Sequence, residues 1–295
     1  MTDDAKPSES MAGVTSQGQK VAAHWARLSL TVDGATRSLR SQGIALEQAT
    51  AEDLHALDMI HMGGLQATDA LAEMAGISGS TTVLDVGSGV GGPARRFADK
   101  YGATVWGIEL AEPSYQTSVR LTALVGLQDR VQFKHGSALV LPFGDEEFDV
   151  VTMAHVAMQI AEKDQLFSEC GRVLKPGGML ALHEIFAGMG GPPHFPLAWA
   201  TEPAMSSLET FAACTTRFAH MELQVGPFMD RSEEGRQFHE ANSQARRQDL
   251  AQQRSTDGRS VEVTQARLRV AESMARNLRE GRLQVGMVVC HKRPK

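Results

Sequence analysis

Cysteine is scarce in this chain. Three residues of 295 (Cys170, Cys214, Cys290) lie too far apart for a metal knuckle and are too few for a disulfide framework, which suits a reducing compartment. We therefore expect a cytoplasmic protein. No run of about 18 apolar residues occurs, so no membrane-spanning helix is expected. The opening "MTDDAKPSESMAGVTSQGQK" has neither the basic start nor the apolar centre of an export signal, and residues 1–20 read as a disordered tail. Positive charge is not in excess either: 29 Lys and Arg stand against 35 Asp and Glu, intermixed along the chain, so no surface for tracking nucleic acid is expected. Aromatic residues make up 5%, with two tyrosines, so a cage for a quaternary ammonium would have to come from Trp25, Trp199 and phenylalanines. No His, Cys and Asp set has metal-ligand spacing, and no Gly-x-Ser-x-Gly elbow is present, which removes metal-assisted chemistry and a serine hydrolase from consideration.

What is present is patterned. From about 21 to 75, apolar residues recur at spacings of three and four, predicting an N-terminal helical cap. Short apolar runs follow: "TTVLDVG" (81–87), "ATVWGIEL" (103–110), "RVQFKH" (130–135), "EFDVVTMAH" (147–155) and "GMLALHEIF" (178–186). Helical stretches separate the first three and the last two, while the loop "GSALVLPFGDE" joins the third and fourth. Strands alternating with helices predict right-handed crossovers and a doubly wound α/β fold on a mostly parallel sheet. After Ala187 a Pro/Gly-rich loop leads into a substrate or lid region (187–281). It holds a strand at 221–229 and two polar helices at 231–252 and 261–280, a solvated lid or an oligomer contact. "RLQVGMVVCHKR" (282–293) is expected to close the sheet as an edge strand. One large domain over 76–295 is the result.

The first strand runs into a turn rich in glycine: Gly87, Gly89, Gly91 and Gly92 let a ligand approach backbone N–H groups at the start of a helix. Gly87, Gly89 and Gly92 satisfy G-x-G-x-x-G, so a nicotinamide or flavin oxidoreductase has to be weighed. Asp85 argues against it, because a carboxylate there would face a bound pyrophosphate at close range. A cation fits better. Asp85 for an ammonium, glycines against a ligand's backbone, and Glu109 after the next strand for two ribose hydroxyls together match S-adenosylmethionine.

"VLDVGSGVGG", "VWGIEL", "LPFGDEEFDVV" and "RVLKPGGMLALHE", in that order, resemble the class I S-adenosylmethionine-dependent methyltransferases over about residues 58–187. "DMIHMGGLQATDAL", "HVAMQIAEK" and "AGMGGPPHFPLAWA" extend the likeness toward the bacterial small-molecule group near sarcosine/dimethylglycine N-methyltransferases. The resemblance implies that Asp85, Gly87, Ser88 and Gly89 hold the methionine part of the cofactor and that Glu109 binds the ribose. It further places Leu110 beside the adenine, Ser137 and Ala138 at the adenine edge, and His61 over the cofactor from the cap. Many relatives carry Asp where this chain has Ser137. His155, just after the fourth strand, would lie near the transferred methyl, and Glu184, ending the fifth, would reach the acceptor; both are candidate bases. Gln159, His194, Phe195 and Trp25 are candidates for the acceptor's walls, with His24 a weaker one. The expected function is methyl transfer to a small molecule, nitrogen slightly ahead of the oxygen or carbon acceptors of secondary metabolism. A non-catalytic scaffold that keeps the cofactor pocket is the remaining rival, and a homo-oligomer stays open.

Overall fold

A computed structural model describes residues 13–252 and 261–294. The chain enters through four helices: α1 (Ser16–Leu28), α2 (Val32–Ser41), α3 (Ala51–Asp58) and α4 (Gly64–Met74). Threonine oxygens start three of them. Thr15 accepts from the Gly18 N–H, Thr31 from the Gly34 N–H, and Thr50 forms a reciprocal capping box with Asp53. Helix α1 thus begins inside the stretch 1–20 expected to be a tail, of which only 1–12 lie outside the described residues. The spacing of Val21 and His24, the buried positions of α1, already placed a packed helix here.

Strands β1 (Thr82–Val86), β2 (Thr104–Glu109), β3 (Val131–His135), β4 (Phe148–Ala154) and β5 (Leu174–Ala187) pair in parallel in the order β3-β2-β1-β4-β5. Helix α5 (Gly92–Tyr101) links β1 to β2, α6 (Glu112–Leu124) links β2 to β3, and α7 (Lys163–Val173) links β4 to β5. Val83, Leu84 and Val86 are all fully buried, as expected of a central strand covered on both faces. Because the chain winds outward from β1 on one side and then on the other, a crevice opens at the carboxyl ends of β1 and β4. Every cofactor residue inferred from the sequence lies at that end.

The cap is fastened to the crevice by a buried ion pair. Arg95 of α5 donates to Asp58 at the end of α3 (2.8 Å), each side chain 1% exposed, and also to the carbonyl of Val90 and the hydroxyl of Thr122. Gly92 is needed there, since a Cβ at this position would stand 2.6 Å from the Asp58 carbonyl oxygen.

After β5 come α8 (Phe211–His220), β6 (Leu223–Val225), β7 (Met229–Asp230), α9 (Ser232–Ala251), α10 (Val261–Arg279) and β8 (Leu283–Lys292). Strand β8 runs antiparallel to β5 from Leu283 to His291, but it is not the edge: β6 and β7 pair with its outer side. The single strand expected at 221–229 is broken into these two pieces around Gly226, three and two residues long. Helices α9 and α10 match their expected spans and pack on each other, tied by Arg236–Glu240–Arg279 and Arg247–Glu272. They are more than a solvated surface. Ala271, Met274, Ala275 and Leu278 of α10 are buried; Met274 and Leu278 join a cluster with Met62, Met158, Ile185 and Trp199.

Candidate active site

A cavity of about 200 Å³ fills the crevice. On one side lies the turn after β1. The N–H groups of Gly87 and Ser88 donate to the carbonyl of Ile108, which pins the turn to β2, and the N–H of Gly89 donates to Oε2 of Glu109 at 2.9 Å. Oε1 of Glu109 accepts from the Ala111 N–H at 2.7 Å. Each carboxylate oxygen retains capacity for one more hydrogen bond. Burial pushes the Glu109 carboxyl above its ordinary range. At Gly87 (φ +69°) a Cβ would strike Val156 at 2.5 Å; at Gly89 (φ +54°) it would meet nothing within 4 Å, so the backbone there borders open space.

Asp85 is 3% exposed. Its Oδ1 accepts from the Thr152 hydroxyl at 2.9 Å, while Oδ2 is buried with no partner, as is the hydroxyl of Ser88 beside it. Burial, reinforced by the charge of Glu109, pushes the Asp85 carboxyl up to about 7. A buried carboxyl that lacks a partner for one oxygen is suited to a cationic ligand, whose arrival would favour the carboxylate form. The residues therefore fit an amino-acid ammonium and a ribose.

At the far side, histidines gather. His155 adopts φ +58°, rare for a residue with a side chain, and its N–H donates to the carbonyl of His183 at 2.8 Å. Its Nε2 is buried and unpartnered. The ring stands 4.5 Å from His183 and 6.3 Å from His61, centroid to centroid, and His61 is tied through Nε2 to the Thr68 hydroxyl. Burial and then the neighbouring imidazoles His183, His61 and His239 hold His155 well below the ordinary histidine value; His61 is lowered to about 4 and His183 to about 3, burial being the main cause of each.

Asp85, Gly87, Ser88, Gly89, Glu109, Leu110, Ser137, Ala138, His155 and His61 all line the cavity, and so do Trp25 and Gln159. Trp25 donates to Oε1 of Gln159 at 2.7 Å, so these two form one wall together. Three other expectations need correction. Glu184 is not among the cavity's lining residues; its Oε1 accepts the N–H groups of Val156 and Ala157 (2.8 and 3.0 Å), which makes it a support for the turn carrying His155. Burial pushes its carboxyl up to about 7. His194 and Phe195 do not line the cavity either: His194 pairs with Glu280, just past α10, at 2.8 Å, its N–H donates to Asn277, and Phe195 packs into an apolar cluster. His24, the weaker candidate, contacts the Ala198 carbonyl through Nε2.

Sequence reasoning missed His239. It sits on α9, 7% exposed, lines the cavity, and leaves Nε2 buried without a partner. A signal existed, because Gly235, His239 and Ser243 recur every fourth residue as the buried stripe of a polar helix. Gly13, Val14, Thr15, Gln17 and Gly18 were missed as well; they line the cavity, Gly18 close to Leu110. Among the described residues no group of three or more His, Cys, Asp or Glu is placed to hold a metal, and no helix is long and apolar enough to cross a membrane. All three cysteines are free and buried.

Comparison with known proteins agrees with this geometry. Residues 84–182 match a family model described as a methyltransferase domain. The methyltransferase GfsG of Streptomyces halstedii is 36% identical over 133 residues, 45% of this chain and 48% of that protein. The erythromycin 3''-O-methyltransferase of Saccharopolyspora erythraea is 37% identical over 135 residues, 43% of this chain and 44% of its own length. The chain spans about half the length of the curated relatives it matches. Among solved structures, a Galdieria sulphuraria protein assigned as a sarcosine dimethylglycine methyltransferase superposes with a TM-score of 0.66 at 20% identity, covering 79% of this chain and 86% of that one. At that identity the likeness is one of fold.

Proposed function

We propose that this chain, whose residues 84–182 match a methyltransferase domain, transfers the methyl group of S-adenosylmethionine to a small molecule lodged beside His155. The observation that carries this reading is the pairing of Asp85 and Glu109 across the glycine turn, the first with a free buried oxygen and the second locked onto Gly89 and Ala111. Asp85 would receive the ammonium of the donor's methionine part, and Glu109 would receive the ribose hydroxyls. Leu110, Ser137 and Ala138 line the stretch of the cavity where an adenine would lie, and Gly13, Val14, Thr15, Gln17 and Gly18 close it. When bound, the sulfonium supplies a methyl already activated for displacement.

The protein's part is then to align an acceptor atom and exclude water, and orientation of that kind can lower a barrier by roughly 7–11 kcal/mol. His155 supports a proton-accepting role, since it lines the cavity and its Nε2 has no competing partner. Acceptors through oxygen, carbon and nitrogen all remain compatible with the fold's relatives, whose names include an O-methyltransferase and sterol 24-C-methyltransferases. The nitrogen preference expected from the resemblance has no support in the cavity itself.

Isothermal calorimetry tests the reading directly. S-adenosylhomocysteine should bind and raise the melting temperature while reduced nicotinamide dinucleotide does neither; the reverse result would return the protein to the oxidoreductases. Release of S-adenosylhomocysteine during turnover with an acceptor panel separates an enzyme from a scaffold.

A further inference from the structure

We propose that the space beside His155 receives an uncharged, largely apolar molecule bearing hydroxyl groups, held between His155 and His239, and that it turns away carboxylates and phosphates. The inference rests on the methyl-transfer reading and adds the chemical class of the acceptor.

The walls come from Met62, Met158, Ile185, Trp199, Phe238 and Met274, which are continuous with the apolar cluster between β5, α10 and β8. The charged side chains that line the cavity, among the described residues, are Asp58, Asp85, Glu109 and Glu162; no lysine or arginine does so. Asp58 is engaged by Arg95, and Asp85 and Glu109 belong to the donor's cradle. An anion entering here would shed its water without meeting a cation, and would approach acids instead. Histidine does not fill the gap. Burial lowers His239 to about 4 and holds His155 well below its ordinary value, so both rings are neutral near pH 7 and offer hydrogen bonds but no charge. His155 and His239 both line this cavity. Gln159 is already occupied with Trp25, and His61 with Thr68. Outside the donor's cradle, and among the described residues, the lining residues with a buried, unpartnered polar atom are Asp58 (Oδ1), His155 (Nε2) and His239 (Nε2), and the two imidazoles are the ones offered to the acceptor's hydroxyls.

Hydroxyls suit that pair. As a hydroxyl oxygen bonds to the methyl carbon, the carbon–sulfur bond breaks with its electron pair remaining on sulfur. The hydroxyl proton passes to Nε2 of His155. A methyl ether, a neutral thioether and an imidazolium result, and the imidazolium returns its proton to water. A weak base suffices, because the oxygen becomes strongly acidic once methylated. His239 would hold a second hydroxyl and so select acceptors that carry one.

The test uses three catechols of one shape: 4-propylcatechol, its carboxylate counterpart 3-(3,4-dihydroxyphenyl)propanoate, and its ammonium counterpart dopamine. Each is titrated calorimetrically into the full chain saturated with S-adenosylhomocysteine. We expect 4-propylcatechol to bind at least about tenfold more tightly than either ion. His239→Leu should weaken it about tenfold and His239→Gln should restore part of the loss, while the affinity for S-adenosylhomocysteine stays unchanged in both. Equal or tighter binding of either ionic catechol, or a His239→Leu variant that binds 4-propylcatechol as the parent does, overturns the proposal. Failure of S-adenosylhomocysteine to bind the parent protein is a different outcome, which removes the donor site and this inference with it.

Discussion

A carboxyl with one satisfied and one orphaned oxygen, as in Asp85, is a sensor for whatever cation settles beside it. Burial, reinforced by the charge of Glu109, pushes it up to about 7. A ligand ammonium favours the charged form, so binding of S-adenosylhomocysteine below pH 7 should release a proton from Asp85, and affinity should fall as pH drops below that point. Calorimetry in buffers of different ionisation enthalpy reads this release, and Asp85→Asn should abolish it and weaken binding by about 1–3 kcal/mol. Asp85, next to last in β1, and Glu109, last in β2, drew attention in the sequence because each stands at a fixed distance from the glycines. His239 was visible only as a position on the buried stripe of α9, since no local pattern says which cavity that stripe faces. Glu184 was visible as an acid at a strand end, but whether it faces the cavity or the N–H groups of the next turn depends on β4 and β5 lying side by side.

At the scale of elements, the turn after β4 is the part most dependent on a single side chain. Glu184→Ala would leave the buried N–H groups of Val156 and Ala157 without their acceptor and should cost about 2–5 kcal/mol. Glu184→Gln keeps an oxygen in place and should retain both fold and turnover. Urea unfolding beside a turnover assay checks the pair, and loss of turnover in the glutamine variant at normal stability would restore Glu184 as a base. The cap is fastened in the same way. Asp58→Ala strands a guanidinium that is 1% exposed, and should destabilise the protein by about 3–5 kcal/mol in the same unfolding experiment. Parallel strands and their helices were legible from apolar period and glycine punctuation. The strand expected at 221–229 was legible, but its break into β6 and β7 and their pairing with the outer side of β8 were not, because two or three residues are too few for alternation to show, and so β8 looked like an edge.

For the whole molecule, buried ionisable groups set opposing slopes of stability with pH. His61, His183 and His239 are held to about 4, 3 and 4, and His155 is lowered too. Below pH 6.5 the unfolded chain binds protons that these rings refuse, so their contribution is complete above 6.5 and is lost as pH falls. Asp85 and Glu184, raised to about 7, act the other way: the folded state keeps their protons, and stability declines as pH rises from about 4 to 7. With His24 also lowered and Asp58 and Glu109 also raised by burial, five histidines still oppose four acids. Denaturant midpoints of the ligand-free protein should rise from pH 5 to about 6.5 and then level or dip slightly toward 7.5. A midpoint that climbs steadily on acidification would contradict the buried histidines. Most of the proposed donor cradle comes from the stretch β1 to β4, whereas the proposed acceptor walls are collected from α1, the Trp199 loop, α9 and α10 as well as from Met62, Met158 and Ile185. Mutation can therefore explore new substrates at the periphery while the methyl-donating apparatus is inherited intact, which makes α9 and α10 the natural target for a library seeking altered selectivity.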